Sequence, residues 1–294
     1  MQKYLFYILF FSLLFSCRSG AKKESANQKG VLTVTIEPQR YFLEQIVGDR
    51  FTVNTLVPPG TSPETYEPAP SVMVEMANSM IYFMVGDLGF EKAWSERLAA
   101  NNADVHIVDC STGINRLQGG EHAGHSHDHV HGDIDPHVWS SPQAVKILAG
   151  NMLEAVVEAD PANETFYRSN FEMLSSNIAE TDRAIREKLA HAPTRSFIIY
   201  HPALAYFANE YHLHQHSVEF EGKNPSPSQI KELVDLALVE HIHTIFIQKG
   251  FDRKNMEVIA REIDGDVFEI DPLSYDWDRE LLRIAEILSR DTDE

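Results

Sequence analysis

From residue 31 onward, short apolar runs rich in Val, Ile, Phe and Thr alternate with longer stretches in which apolar residues return every three or four positions. The first pattern is that of strands buried in a sheet, the second that of helices packed by one face, and their regular alternation predicts parallel sheets covered by helices. In the first half, residues 31–36, 51–57, 80–85 and 105–108 read as strands, with helices over 41–47 and 71–78 between them. In the second half, residues 196–200, 217–220, 244–248 and 267–270 repeat the strand pattern. The expected fold class is therefore α/β, with two lobes of parallel sheet flanked by helices, over residues 31–160 and 193–294.

The segment between the lobes reads differently. Asp160-Pro161 offers a cap followed by proline at the first helical position, and nothing breaks the helix before Pro193. Residues 161–192 are thus expected to form one long rigid helix of roughly 45 Å joining the lobes. Phe166, Phe171, Leu174, Ile178, Ile185 and Leu189 recur along it at near-helical spacing, so one face should lie along both lobes. A second start signal stands at Ser226-Pro227-Ser228-Gln229, where a serine cap, a proline and a capping-box glutamine precede the periodic Ile230, Leu233, Val234 and Leu236.

The amino-terminal sixteen residues fall outside this pattern. One cation, Lys3, precedes an apolar run that ends in Leu14-Phe15-Ser16-Cys17, too short for a spanning helix of about 20 residues and ordered like a bacterial lipoprotein signal. Residues 1–16 are expected to be removed, Cys17 to carry the lipid, and residues 17–30 to form a polar tether. The chain is then an exported, periplasmic or cell-surface lipoprotein anchored to a membrane. Only Cys110 remains as a thiol, so neither an internal disulfide nor a multi-cysteine zinc knuckle is available. With 25 basic against 44 acidic side chains, the surface repels nucleic acid and gives no support to a polybasic membrane contact.

The candidate chemistry is metal binding. Residues 121–132 read EHAGHSHDHVHG and place His122, His125, His127, His129 and His131 in a stretch that cannot pack. Imidazole is a common transition-metal ligand, but a loose tract supplies no fixed geometry and reads as a collecting loop beside a tighter site. In open α/β sheets ligands bind beyond the carboxyl ends of strands. There the sequence offers Glu64 and Glu67 in the proline-stiffened loop 58–68, His201 before Pro202, and Asp271 before Pro272, and the first lobe adds His137 in Asp135-Pro136-His137. Two imidazoles and two carboxylates from four segments make a mixed nitrogen and oxygen shell that accommodates zinc, manganese or ferrous iron. His212, His214 and His216, and likewise His241 and His243, alternate as on an extended face, without a common centre. The chain has no H-E-x-x-H motif, which argues against a zinc hydrolase. A surface adhesin with a structural metal is compatible with a lipid anchor.

At these residues the chain resembles the metal-binding receptors of bacterial zinc and manganese ABC importers, the cluster A-I or cluster 9 solute-binding proteins. The resemblance runs from about Val31 to the carboxyl terminus and rests on PPGTSPETYEPAPS, DIDPHVWSSP after the histidine tract, HPALAYFANEYHL, EGKNPSPSQIKEL and IDPL, in that order. It implies two lobes joined by a long helix, with one metal ligand from each of four segments: Glu64, His137, His201 and Asp271. Glu64 stands where the family usually has histidine; the histidine tract is a feature of its zinc-importing members. The implied function is extracytoplasmic capture of zinc and delivery to an ABC importer permease in the cytoplasmic membrane, by a monomer that is not an enzyme. A manganese or iron receptor of the same family is the alternative.

Overall fold

The computed structural model describes residues 29–101, 103–119, 134–219 and 225–290 of the 294-residue chain. Residues 1–16, expected to be a signal, Cys17 and the histidine tract lie outside the described residues.

The first lobe runs β1 (Gly30–Val34), α1 (Glu37–Val47), β2 (Phe51–Thr55), α2 (Pro70–Met76), β3 (Ile81–Met84), α3 (Gly89–Asn101) and β4 (His106–Asp109). Two helices follow, α4 (Pro142–Ala159) and α5 (Glu164–Leu189). The second lobe runs β5 (Ser196–Ile199), α6 (Ala205–Tyr211), β6 (His214–Ser217), α7 (Pro227–Val239), β7 (Thr244–Gln248), α8 (Lys254–Ile263), β8 (Asp266–Ile270) and α9 (Trp277–Leu288). Each sheet has four parallel strands, in the orders β2-β1-β3-β4 and β6-β5-β7-β8, so the two lobes share one topology. The order reverses between β1 and β3 and between β5 and β7, and there a crevice opens at the carboxyl ends.

Central strands covered on both faces must be apolar throughout, and all four residues of β5 are buried. The largest apolar cluster is continuous from Leu32 and Phe42 through Leu148, Ile178 and Leu189 to Phe207, Trp277 and Leu288. It runs along α5, which packs against α4, α9 and α1. Leu174, Ile178, Ile185 and Leu189 are buried on this helix, as the spacing predicts, with Phe166 and Phe171 partly buried beside them.

Among the boundaries that differ from the sequence reading, two change the picture. A single 3-10 turn over Pro161–Asn163 precedes α5, which begins at Glu164 and has 26 residues, about 39 Å. Asp160 accepts from Asn163 Nδ2 and the Tyr167 hydroxyl, at 2.7 and 2.6 Å, so its carboxylate is engaged by those side chains and does not cap α5. The strand expected over 217–220 lies earlier, at His214–Ser217, because pairing with Ser196–Ile199 of β5 sets its register. The alternating His214 and His216 therefore lie within a strand, and Glu219 falls beyond its carboxyl end.

Candidate metal centre

His137 and His201 meet although they are 64 positions apart in the chain: their Nε2 atoms are 3.2 Å apart, with the rings inclined at 71°. Each ring is held from behind. The Asp135 carboxylate accepts from the His137 backbone N–H at 2.8 Å and lies 3.0 Å from His137 Nδ1. The turn Val138–Ser140 then buries Trp139, whose indole Nε1 donates to the Pro272 carbonyl at 2.8 Å. His201 follows β5 at the reversal of strand order; its N–H donates to Gln248 Oε1 at the end of β7, at 3.2 Å, and its Nδ1 lies 2.8 Å from Glu219 Oε2.

These contacts fix the tautomers. An ionised carboxylate only accepts, so each Nδ1 carries the hydrogen, and a ring without a second proton offers its Nε2 lone pair. Two lone pairs facing each other at 3.2 Å repel, and either a shared proton or a cation relieves them. Around a tetrahedral ion with metal–nitrogen bonds of about 2.0–2.1 Å, two nitrogens stand about 3.3 Å apart, close to the spacing found. Burial by itself would lower the His137 pKa, but Asp135, through charge and hydrogen bond, with Glu64 and Glu219, outweighs it and raises the pKa. Asp135 is correspondingly held below the usual carboxylate range: burial pushes it up, and His137 and His201 pull it further down.

Glu64 approaches from the first lobe, in the stiff loop after β2. One carboxylate oxygen, Oε2, accepts from the Gly89 N–H at the start of α3, at 3.1 Å; the other, Oε1, is buried with no hydrogen-bond partner. Phe90 N–H donates to the Pro63 carbonyl at 2.9 Å, so the start of α3 grips the loop at two successive residues. Glu67, in the same loop, is exposed. Asp271 sits at the carboxyl end of β8 as expected, but its carboxylate makes its contacts elsewhere, accepting from Leu273 N–H at 3.2 Å and lying 4.0 Å from Lys249 Nζ. The structure thus brings His137 and His201 together, sets Glu64 near enough to act on His137, and turns Asp271 toward Lys249. Among the described residues, no three His, Cys, Asp or Glu side chains are already closed into a ligand cluster.

Two site residues were not singled out from the sequence. Asp135 was visible in the Asp-Pro-His segment, and an acidic side chain two positions before a histidine is well placed to fold back on it. Glu219 was hidden by the strand expected over 217–220; with β6 ending at Ser217, it occupies a position after a strand, where ligands and their supports are sought.

The family model for zinc-uptake complex component A, periplasmic (ZnuA), matches residues 32–280. The High-affinity zinc uptake system protein ZnuA of Bacillus subtilis (strain 168) is 26% identical over 266 residues, covering 86% of this chain and 82% of its own length. The Manganese ABC transporter substrate-binding lipoprotein PsaA of Streptococcus anginosus is 24% identical over 278 residues, covering 89% and 86%. A crystal structure of ZnuA superposes with a TM-score of 0.82 at 35% identity, over 89% of this chain and 98% of that one.

Proposed function

We propose, from the premise that this chain belongs to the ZnuA family of periplasmic zinc-uptake components, that its cargo is zinc and that His137, His201, Glu64 and Asp271 hold it. The family consists of metal-binding receptors of ABC importers, not enzymes, and they work with a membrane permease and its ATPase. The observation that carries the zinc reading is the imidazole pair, with both Nδ1 atoms on carboxylates and both Nε2 atoms 3.2 Å apart. A divalent ion between the rings replaces lone-pair repulsion with two coordinate bonds. Glu64 supplies its unpartnered Oε1 as an anionic donor, and Asp271 swings from Lys249 to complete the shell.

Asp135 and Glu219 play the supporting part: each fixes a ring orientation and makes the ligating nitrogen more basic. Capture needs deprotonated ligands, so zinc affinity falls as the imidazoles and carboxylates take up protons in acid. In the same reading Cys17 carries a lipid that keeps a monomeric receptor at the membrane, and the histidine tract at 121–132 gathers ions beside the site.

The test is a titration of the chain from residue 18, lacking residues 121–132, with zinc and with manganese, measuring affinity and stoichiometry. One tight zinc equivalent is expected, lost in His137→Ala and His201→Ala and weakened in Glu64→Ala and Asp271→Ala. Tighter binding of manganese would reassign the cargo. Disappearance of tight binding with the tract alone would remove the interlobe site.

A further inference from the structure

Among the described residues Glu91 is the most enclosed acidic side chain, 1% exposed, and it takes no part in the centre described above. It lies in the first turn of α3. Its Oε1 accepts from the Thr35 hydroxyl at 2.5 Å and the Val85 N–H at 2.7 Å, and its Oε2 from the Gly86 N–H at 2.8 Å. The donors thus come from residues immediately after β1 and β3, the two strands between which the order reverses, and from the turn that leads into α3. Gly86 and Asp87 in that turn have φ of 96° and 67°. For Asp87 this is an uncommon region that local preference does not favour, so surrounding bonds must hold the turn. Two residues on, the turn delivers the Gly89 N–H to Glu64 and the Phe90 N–H to Pro63.

We propose that Glu91 is a positioning residue for the metal centre: by bridging the ends of β1 and β3 it fixes the turn whose Gly89 N–H aims the Glu64 carboxylate, and so sets metal affinity without touching the ion. This rests on the reading of Glu64 as a ligand. Three donors converge on both oxygens of one carboxylate here, and an amide cannot accept from all of them, because one of its two heavy atoms is itself a donor.

The experiment compares zinc affinity of Glu91→Gln in the parent and in the Glu64→Ala background, using the full mature chain with a competing chelator so that only the tight site is read. Unfolding of each metal-free variant is followed alongside. Glu91→Gln should weaken zinc binding about tenfold in the parent, the lower end of what supporting groups around metal ligands cost, and add nothing once Glu64 is gone. Parent-like affinity in a folded Glu91→Gln, or the same loss in both backgrounds, overturns the proposal. Thr35→Val removes a single donor and should produce a smaller loss of the same sign. If Glu91→Gln does not fold, parent-like affinity in Thr35→Val decides against the proposal. Failure of the underlying reading looks different: His137→Ala and Glu64→Ala would then keep parent affinity, and the Glu91 role would fall with them.

Discussion

At the residue scale, the centre depends on close approach as much as on ligand identity. A Cβ on Gly89 would lie 2.6 Å from the Glu64 carbonyl oxygen and 2.8 Å from Glu64 Oε2. Gly89 is the first residue of α3, where alanine would ordinarily be favoured over glycine by up to about 1 kcal/mol. Here the contact reverses that sign, because the carbonyl belongs to backbone that cannot rotate away. Gly89→Ala is expected to destabilise the protein by roughly 1–3 kcal/mol and to weaken zinc binding, as read by denaturant unfolding and metal titration. A stabilised variant with parent affinity would show that the loop carrying Glu64 is free to move.

At the element scale, local chemistry writes the helix starts plainly. Ser226 and Gln229 form the reciprocal cap expected of them: Gln229 Oε1 accepts from the Ser226 N–H at 2.8 Å, and Ser226 Oγ accepts from the Gln229 N–H at 3.4 Å. Ser226→Ala should cost about 1 kcal/mol in urea unfolding and leave metal affinity unchanged, since α7 supplies no site residue. The same Ser-Pro signature opens α4, where Ser141 Oγ accepts from the Ala144 N–H at 3.1 Å. For α5 the sequence marks the buried face correctly but not the first turn, because Asp160 bonds to Asn163 and Tyr167 instead of capping the helix.

At the scale of the whole molecule, one apolar cluster and a pair of indole hydrogen bonds tie the lobes together: Trp139 Nε1 to the Pro272 carbonyl, and Trp277 Nε1 to the Trp139 carbonyl at 2.7 Å. Global unfolding therefore reports on groups in either lobe, including Glu91. Burial pushes Glu91 up to about 7, against the pull of Thr35, Val85, Gly86 and Leu88. Between the unfolded value of about 4.5 and the folded one, the unfolded chain gives up a proton that the folded chain keeps. The contribution to stability is thus full below about 4.5, falls as pH rises toward 7 and levels off above, a change on the order of 3 kcal/mol. Urea unfolding of the parent and Glu91→Gln from pH 4.5 to 8 should show the parent's advantage shrinking across that window. A constant difference would mean that Glu91 has the same protonation in both states.

Whatever depends on neighbours along the chain was legible in the order of residues. The alternation of two periods marked both sheets, the apolar stripe marked α5, and proline-bounded segments marked Glu64, His137, His201 and Asp271 as candidates. Tertiary structure alone decided which of these meet. The 3.2 Å approach of His137 to His201, the seat of Glu219 behind the His201 ring, and the grip of Gly89 on Glu64 all join segments that no local pattern relates. The register of β6 on β5 belongs with them, because shifting the strand by a few residues moved Glu219 from strand interior to site. The reason is physical: periodicity records how much of each side chain a local element buries. The partner of a hydrogen bond at a sheet's carboxyl end is set by how separate segments cross there, and that is settled only when the core closes.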